Sequence, residues 1–255
     1  MLSTKSAQPG TALVLGGSGA IGRAIAARLA DQGWRLFLTH RTPSAPFDKF
    51  VADLRQQGTD VAPIHVDLTQ VDVGEQLVHA IGEAALNGLV YAAGPKVRMT
   101  YVSRITPEEV RTQFESDTLA FYNAVHPLLQ LLRGAEGTLV SITSAAVSRY
   151  AKQDMLSVAP KAAIEAMTRA IAAEEGPFGV RANCVGVGVI DSGLWDDLIA
   201  QGAYTDDYLA AAKRAIALRR FGTAADIAAA AAFLLSDEAN WISGQTLNVD
   251  GGYAL

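Results

Sequence analysis

Leu13-Val-Leu-Gly16-Gly-Ser-Gly19-Ala-Ile-Gly22 decides the architecture. A short apolar run, Thr11–Leu15, breaks into a glycine-rich turn, and an amphipathic helical pattern begins directly behind it. Glycines at 16, 19 and 22 let the backbone turn tightly and come close to whatever lies above it. A helix opening near Ala20 then offers free N–H groups and the positive end of its dipole, which suits the pyrophosphate of a dinucleotide. Glycines at this spacing also serve plain helix–strand packing. Here they follow the first strand, open a helix and precede a second strand that ends in a polar turn, and that context points to nucleotide binding. Gly16, Ser18, Gly19, Ile21 and Gly22 are the expected contacts.

Outward from this turn, short apolar runs alternate with helical patterns along almost the whole chain. Strands are expected at 11–15, 35–39, 61–66, 88–92, 138–143 and 180–185, each apolar on both faces as a buried parallel strand should be. Helices are expected at 21–32, 46–57, 74–85, 107–132, 156–175 and 224–236. Thr106-Pro107-Glu108-Glu109 carries a cap, a proline at the first position and acids in the first turn. The alternation predicts an α/β fold, a doubly wound parallel sheet with helices on both faces, formed by residues 11–255 as one domain behind a flexible start at 1–10. Residues 192–220, with Trp195, Tyr204 and Tyr208, depart from the alternation. They are expected to form a substrate lid over the strand C-terminal ends, the alternative being a surface helical hairpin.

Composition bounds the rest. The chain has 255 residues, half of them hydrophobic, with 18% charged residues and a net charge of −5. A chain of this size buries roughly three quarters of its unfolded surface. No basic stripe suggests nucleic acid. One cysteine, Cys184, excludes an intramolecular disulfide framework and fits a reducing compartment. No apolar run approaches the ~20 residues that span a bilayer, and the first ten residues lack the apolar core of a signal peptide. A cytoplasmic globule is expected. His65, His79 and His126 have no second ligand at metal spacing, so no metal is expected.

The second strand ends Leu36-Phe-Leu-Thr39-His40-Arg41. An NAD site puts a carboxylate near here to accept from the ribose 2′-hydroxyl, and none is present. A 2′-phosphate instead favours a guanidinium that grips it in two places. Arg41, with His40 and Thr42, therefore points to NADPH.

Several further segments resemble the short-chain dehydrogenase/reductase family. Asp67-Leu68 is similar to its adenine-holding pair, and Tyr91-Ala-Ala93-Gly94 resembles its Asn-Asn-Ala-Gly with both asparagines replaced. Arg181-Ala-Asn183, Val187-Gly188-Val-Ile190-Asp-Ser192 and the run Arg220–Gly252 resemble its later signatures. The resemblance covers nearly the whole chain and implies a Rossmann-type fold and a nicotinamide cofactor. It would place Gly188, Ile190 and Ser192 against the nicotinamide end, and implies a homotetramer built on the two long helices.

The family's Asn-Ser-Tyr-Lys tetrad falls on Asp117, Ser144, Ser157 and Lys161. Ser157-Val-Ala-Pro-Lys161 keeps the lysine and lacks the tyrosine. A serine hydroxyl is a far weaker acid than a phenol of pKa about 10, and its side chain is shorter. Tyr150, Asp154 and Asp117 are alternative proton donors, with Tyr150 placed first on reach. The segment from Ser157 to Arg169 is similar to 2,4-dienoyl-CoA reductases, which also lack that tyrosine. The resemblance implies an NADPH-dependent reductase acting on a carbonyl or a conjugated C=C or C=N bond, with a small-molecule or acyl-thioester substrate. Lys213, Arg214, Arg219 and Arg220, beside the expected lid, could meet a phosphorylated carrier such as CoA, and a solvated helix face explains them equally well. The other reading is a catalytically silent NADPH sensor or oligomeric scaffold.

Overall fold

The structure is a computed structural model that describes residues 10–255; the rest of the expected flexible start lies outside the described residues. In chain order the elements are β1 (Thr11–Leu15), α1 (Ala20–Asp31), β2 (Arg35–His40), α2 (Ala45–Gln56), β3 (Val61–His65), α3 (Val73–Ile81) and β4 (Leu86–Tyr91). They continue with α4 (Pro107–Gln113), α5 (Ala120–Ala135), β5 (Thr138–Ser144), α6 (Met155–Glu175), β6 (Arg181–Val187), α7 (Trp195–Ala200), α8 (Asp206–Ala215), α9 (Ala224–Leu235) and β7 (Thr246–Val249). Gly10, expected in the flexible start, is engaged: its carbonyl accepts from Arg35 N–H at 3.1 Å, and a Cβ there would collide with Asn87.

All strand pairs are parallel, in the order β3-β2-β1-β4-β5-β6-β7. The period-two alternation of side chains splits the apolar strands between two cores. Ala12, Val14, Leu36, Leu38, Val90, Val140 and Val185 face α1, α2 and α9. Leu13, Leu15, Phe37, Leu89, Tyr91 and Leu139 face α3, α5 and α6. The chain winds outward from β1 to β3, then returns across β1 to start β4. The crevice above β1 and β4 is thus the topological switch point, where sheets of this kind bind ligands.

Three expectations are corrected. The strand at 61–66 is not buried on both faces, because β3 is the sheet edge and Ala62, Pro63 and His65 reach the surface. A seventh strand, β7, pairs with β6 at the other edge. The single helix expected over 107–132 is interrupted by a π-helical turn at Phe114–Leu119. The wider turn buries Asp117 and Thr118, and Thr118 Oγ1 donates to the Pro160 carbonyl of α6 at 3.3 Å.

Among the described residues no helix is long and apolar enough to cross a membrane.

Candidate active site

The turn after β1 is shaped by what has no room for a side chain. Gly16 has φ +82°, and a Cβ on it would lie 2.7 Å from the Ala93 nitrogen. A Cβ on Gly22 would lie 2.2 Å from the Gly16 carbonyl oxygen, and one on Gly17 would lie 2.8 Å from Leu38 Cβ. Gly17 therefore belongs to the set, though the spacing of glycines 16, 19 and 22 does not mark it. Gly19 is less constrained, with φ −71° and a nearest approach of 3.3 Å. Gly16 N–H donates to Thr39 Oγ1 at 2.9 Å, which pins the turn to the end of β2. Arg23, which no motif spacing marks, bonds the Ser18 carbonyl with its guanidinium.

Below the turn lies a cavity of about 890 Å³. Ser18, Gly19 and Ile21 border one end, and Ala93, Gly94, Asp117, Ser144, Ser157, Lys161, Gly188, Ile190 and Ser192 line the rest. Most of the expected residues therefore come together. Gly16 and Gly22 shape the turn without lining the cavity, and His40, Arg41, Asp67 and Leu68 sit outside its walls, at the surface end of β2 and β3. Arg41 is exposed, and its carbonyl bonds His65 Nε2 at 2.9 Å. Asp67 Oδ1 accepts from both the backbone N–H and the hydroxyl of Thr69, at 3.0 and 2.8 Å. The backbone bond, with the hydroxyl and nearby Arg41 adding to it, holds the Asp67 carboxyl below its ordinary range.

Lys161 lies at the centre. Its ammonium donates to Asp117 Oδ1 at 2.9 Å and to the Ala93 carbonyl at 3.2 Å. The pair is deeply buried, with side-chain exposures of 14% for Lys161 and 3% for Asp117. Fully buried Tyr91 donates to the Asp117 carbonyl oxygen at 2.9 Å and lies 3.3 Å from its carboxylate. Burial, then the Asp117 charge, raises the Tyr91 phenol well above its ordinary value, so it holds its proton. Tyr91, Asp117 and Lys161 thus form one packed unit.

Ser144 accepts from Ala146 N–H at 3.2 Å, which leaves its own hydroxyl hydrogen free to donate into the cavity. Its place relative to Lys161 is set by a buried polar seam between β5 and α6. Ser141 and Thr168 bond at 2.9 Å, and Thr143 donates to Glu165 at 2.9 Å.

Two of the alternative proton donors separate clearly. Tyr150 does not line the cavity and is half exposed. Arg149 explains why: its guanidinium bonds the Tyr253 carbonyl at 2.5 Å and lies over the Tyr253 ring, which docks the loop on the carboxy-terminal segment and turns Tyr150 outward. Asp154 lines the cavity. It stands at the N-cap position of α6, yet its side chain caps nothing. Burial alone pushes its carboxyl up to about 7.

That shift makes a prediction about stability. Between pH 3.8 and about 7 the folded chain keeps a proton on Asp154 that the unfolded chain has released. Stability through this residue is therefore gained on acidification and lost as pH rises through 7. Asp154→Asn is expected to raise the thermal midpoint at pH 8 by about 3 °C or more. The gain should shrink steadily as pH falls towards 4. A lowered midpoint at pH 8 would show that the charged carboxyl has a partner in the fold.

The wall opposite α6 comes from residues 192–220. Trp195, Leu198, Tyr204, Tyr208, Ala211, Ala212 and Ala215 face the cavity, and Tyr253 joins them from the chain end. Lys213, Arg214, Arg219 and Arg220 are exposed and off the cavity wall, and Arg220 is held by Asp226 at 2.9 and 3.0 Å. Cys184 is buried in β6, where burial pushes its thiol up to about 11.

A parallel sheet with a glycine cradle at its switch point, leading to a buried lysine and a serine in one cavity, defines a nicotinamide-dependent oxidoreductase. The family model described as enoyl-(acyl carrier protein) reductase matches residues 16–254, and the chain belongs to the short-chain dehydrogenase/reductase family. It is 28% identical over 245 residues to the 3-oxoacyl-[acyl-carrier-protein] reductase FabG of Staphylococcus aureus, covering 95% of this chain and 97% of that protein. It is 31% identical over 249 residues to the 3-oxoacyl-[acyl-carrier-protein] reductase MabA of Mycobacterium bovis, covering 95% and 92%. A short-chain dehydrogenase/reductase structure from Mycobacterium ulcerans superposes with a TM-score of 0.88 at 26% identity, over 97% of this chain and 90% of that one. A 3-oxoacyl-[acyl-carrier protein] reductase with bound NAD from Brucella melitensis has the same fold, with a TM-score of 0.84 at 24% identity over 98% and 93%.

Proposed function

We propose that this protein is an NADPH-dependent reductase acting on a carbonyl or a conjugated C=C or C=N bond of a small molecule or acyl thioester, with a proton source other than the family's tyrosine. The observation that carries the reading is the continuity of one cavity from the glycine cradle to Lys161 and Ser144. The cradle suits a dinucleotide: backbone fills the places where Cβ atoms would go at Gly16 and Gly22, and the start of α1 offers its free N–H groups. Reduced nicotinamide bound there supplies hydride.

The chain's own groups do the rest. An ammonium has three donors, and Lys161 spends two on Asp117 and Ala93, so the third is free for a ribose hydroxyl. Ser144 donates its hydroxyl hydrogen to the acceptor's heteroatom, in the manner of an oxyanion-stabilising group. Ser157 stands where the family has its tyrosine and is too weak an acid to replace it. Tyr150 faces away, which leaves Asp154 as the cavity-wall acid for an acceptor that needs a proton. Residues 192–220 act as the substrate lid, with Gly193 and Gly202, both at positive φ, as its pivots. Exposed Leu119 and Tyr122 beside α5, and Trp241 and Leu247 near the β7 edge, support burial in a homotetramer, to be checked by sedimentation.

Arg41 carries the preference for NADPH. The sequence that closes β2, Thr39-His40-Arg41-Thr42-Pro43, holds no carboxylate to receive a 2′-hydroxyl, and the exposed guanidinium offers a bidentate grip on a phosphate. Titration following nicotinamide fluorescence is expected to show tighter binding of NADPH than NADH. Arg41→Ala should weaken NADPH by about tenfold to a hundredfold, as for loss of a charge-assisted bond, and leave NADH nearly unchanged. Equal weakening of both would remove Arg41 from the 2′-phosphate, and binding of neither would overturn the reductase reading.

A further inference from the structure

We propose that the substrate half of the cavity is built for a cationic C=N acceptor, an iminium ion, with Asp154 as its counter-ion and Trp195, Tyr204 and Tyr208 as its walls. This rests on the reductase reading and narrows its acceptor.

Charge is the first observation. Asp117 is neutralised by Lys161, and Arg23 is bound to the Ser18 carbonyl. Asp154 has no ion pair and no side-chain hydrogen bond among the described residues, although it opens on the same cavity. The groups around it do not supply a cation. Tyr204 and Tyr208 approach from the lid and Tyr253 from the chain end. Lys152, on the loop before it, is exposed and makes no ion pair with it. The backbone holds Asp154 in place at a cost. Gln153, immediately before it, has φ +72°, and its carbonyl accepts from Thr100 N–H at 2.9 Å. A non-glycine residue in that region costs of order 1 kcal/mol and persists only where its surroundings enforce it.

Aromatic surface is the second observation. The Trp195 and Tyr204 rings meet edge to face at 5.3 Å, and Tyr204 and Tyr208 stack at 5.1 Å with 17° between their planes. Burial raises both phenols above their ordinary range, and the Asp154 charge adds to each, so the carboxylate and the two rings share one compartment. Aromatic faces with a carboxylate form a pocket for an organic cation.

Chemistry joins the two. A ketone or enoyl thioester becomes an alkoxide or enolate on receiving hydride and must be protonated. An iminium carbon accepts the hydride pair, the C=N π pair moves to nitrogen, and a neutral amine results with no proton added. For that acceptor no proton donor is required, so Asp154 serves as the carboxylate that balances its charge rather than as the acid a carbonyl would need.

The test is calorimetric binding to the full chain saturated with the 1,4,5,6-tetrahydro analogue of NADPH, which cannot give up hydride. The probes are 2-methyl-3,4-dihydroisoquinolinium and the neutral ketone 1-tetralone, similar in shape. The cation is expected to bind about tenfold tighter or more, and to gain about tenfold between pH 6 and 8 as Asp154 ionises. Asp154→Asn should lower cation affinity about tenfold and erase the preference for the cation over the ketone. Equal or tighter ketone binding, or a cation affinity untouched by Asp154→Asn, overturns the inference alone. Failure of the tetrahydro analogue to bind overturns the reductase reading as well.

Discussion

Lys161→Met is expected to destabilise the fold by about 3–5 kcal/mol and to abolish tight nicotinamide nucleotide binding. The ammonium and the Asp117 carboxylate face each other at 2.9 Å with little access to water. Taking two charges out of water is costly, and the cost is recovered only while both are present. With the amine gone, the carboxylate keeps, among the described residues, only the Tyr91 hydroxyl, whose shorter bond goes to the Asp117 backbone carbonyl. The pair also joins the π-helical turn before α5 to α6, and its loss loosens two helices that line the cavity. The double variant Lys161→Met with Asp117→Asn removes both charges of this buried pair. It should recover most of the stability in urea unfolding while nucleotide binding stays lost. A single variant that unfolds at the wild-type urea midpoint would show that the pair does not carry this energy. If the single variant fails to fold, rescue by the double variant still decides the point.

The parts of this molecule that were legible in the sequence are those set by local pattern. Thr11–Leu15 is buried at every position, and α1 buries Ile25, Ala26 and Leu29 at helical spacing, so run, turn and helix announce themselves. Thr106 with Glu109 forms the capping box that its residue types promise. What escaped depends on distant partners. β7 is four residues, partly polar and at an edge, recognisable only by its pairing with β6. The π-helical turn leaves the apolar periodicity of 107–132 nearly intact, yet it decides where Asp117 points. Tyr150 follows Ser144 by only six residues, but Arg149 is drawn to a carbonyl 104 residues away and takes the loop with it. The environment of Asp154 is made by Tyr204 and Tyr208, some fifty residues on, and no local signal marks it.

Gly22→Ala should cut nucleotide affinity by about a hundredfold or more. The added carbon would sit 2.2 Å from the Gly16 carbonyl oxygen, 2.9 Å from its carbonyl carbon and 3.0 Å from Gly17 Cα. All three are backbone atoms, so no side chain can swing aside. Either α1 moves away from β1 or the turn shifts. The first opens the packing of α1 on β1 and costs about 1–3 kcal/mol as overpacking does. The second pushes Gly16 towards Ala93 and Gly17 towards Leu38, where neither has room. Both routes misalign the N–H groups at the start of α1. Each charge-assisted bond to a phosphate contributes about 1.5–3 kcal/mol, so losing one or two accounts for the drop. Gly19→Ala separates this steric argument from a general loss of glycine. Its carbon would lie 3.3 Å from the same oxygen at an ordinary φ of −71°. It should cost about 1 kcal/mol in stability, through the weaker N-cap, and keep binding within about tenfold. Nucleotide titration and urea unfolding of the two variants side by side decide the matter. Equal losses would mean that the turn needs glycine for flexibility, whereas a large loss at 22 alone means that it needs the space.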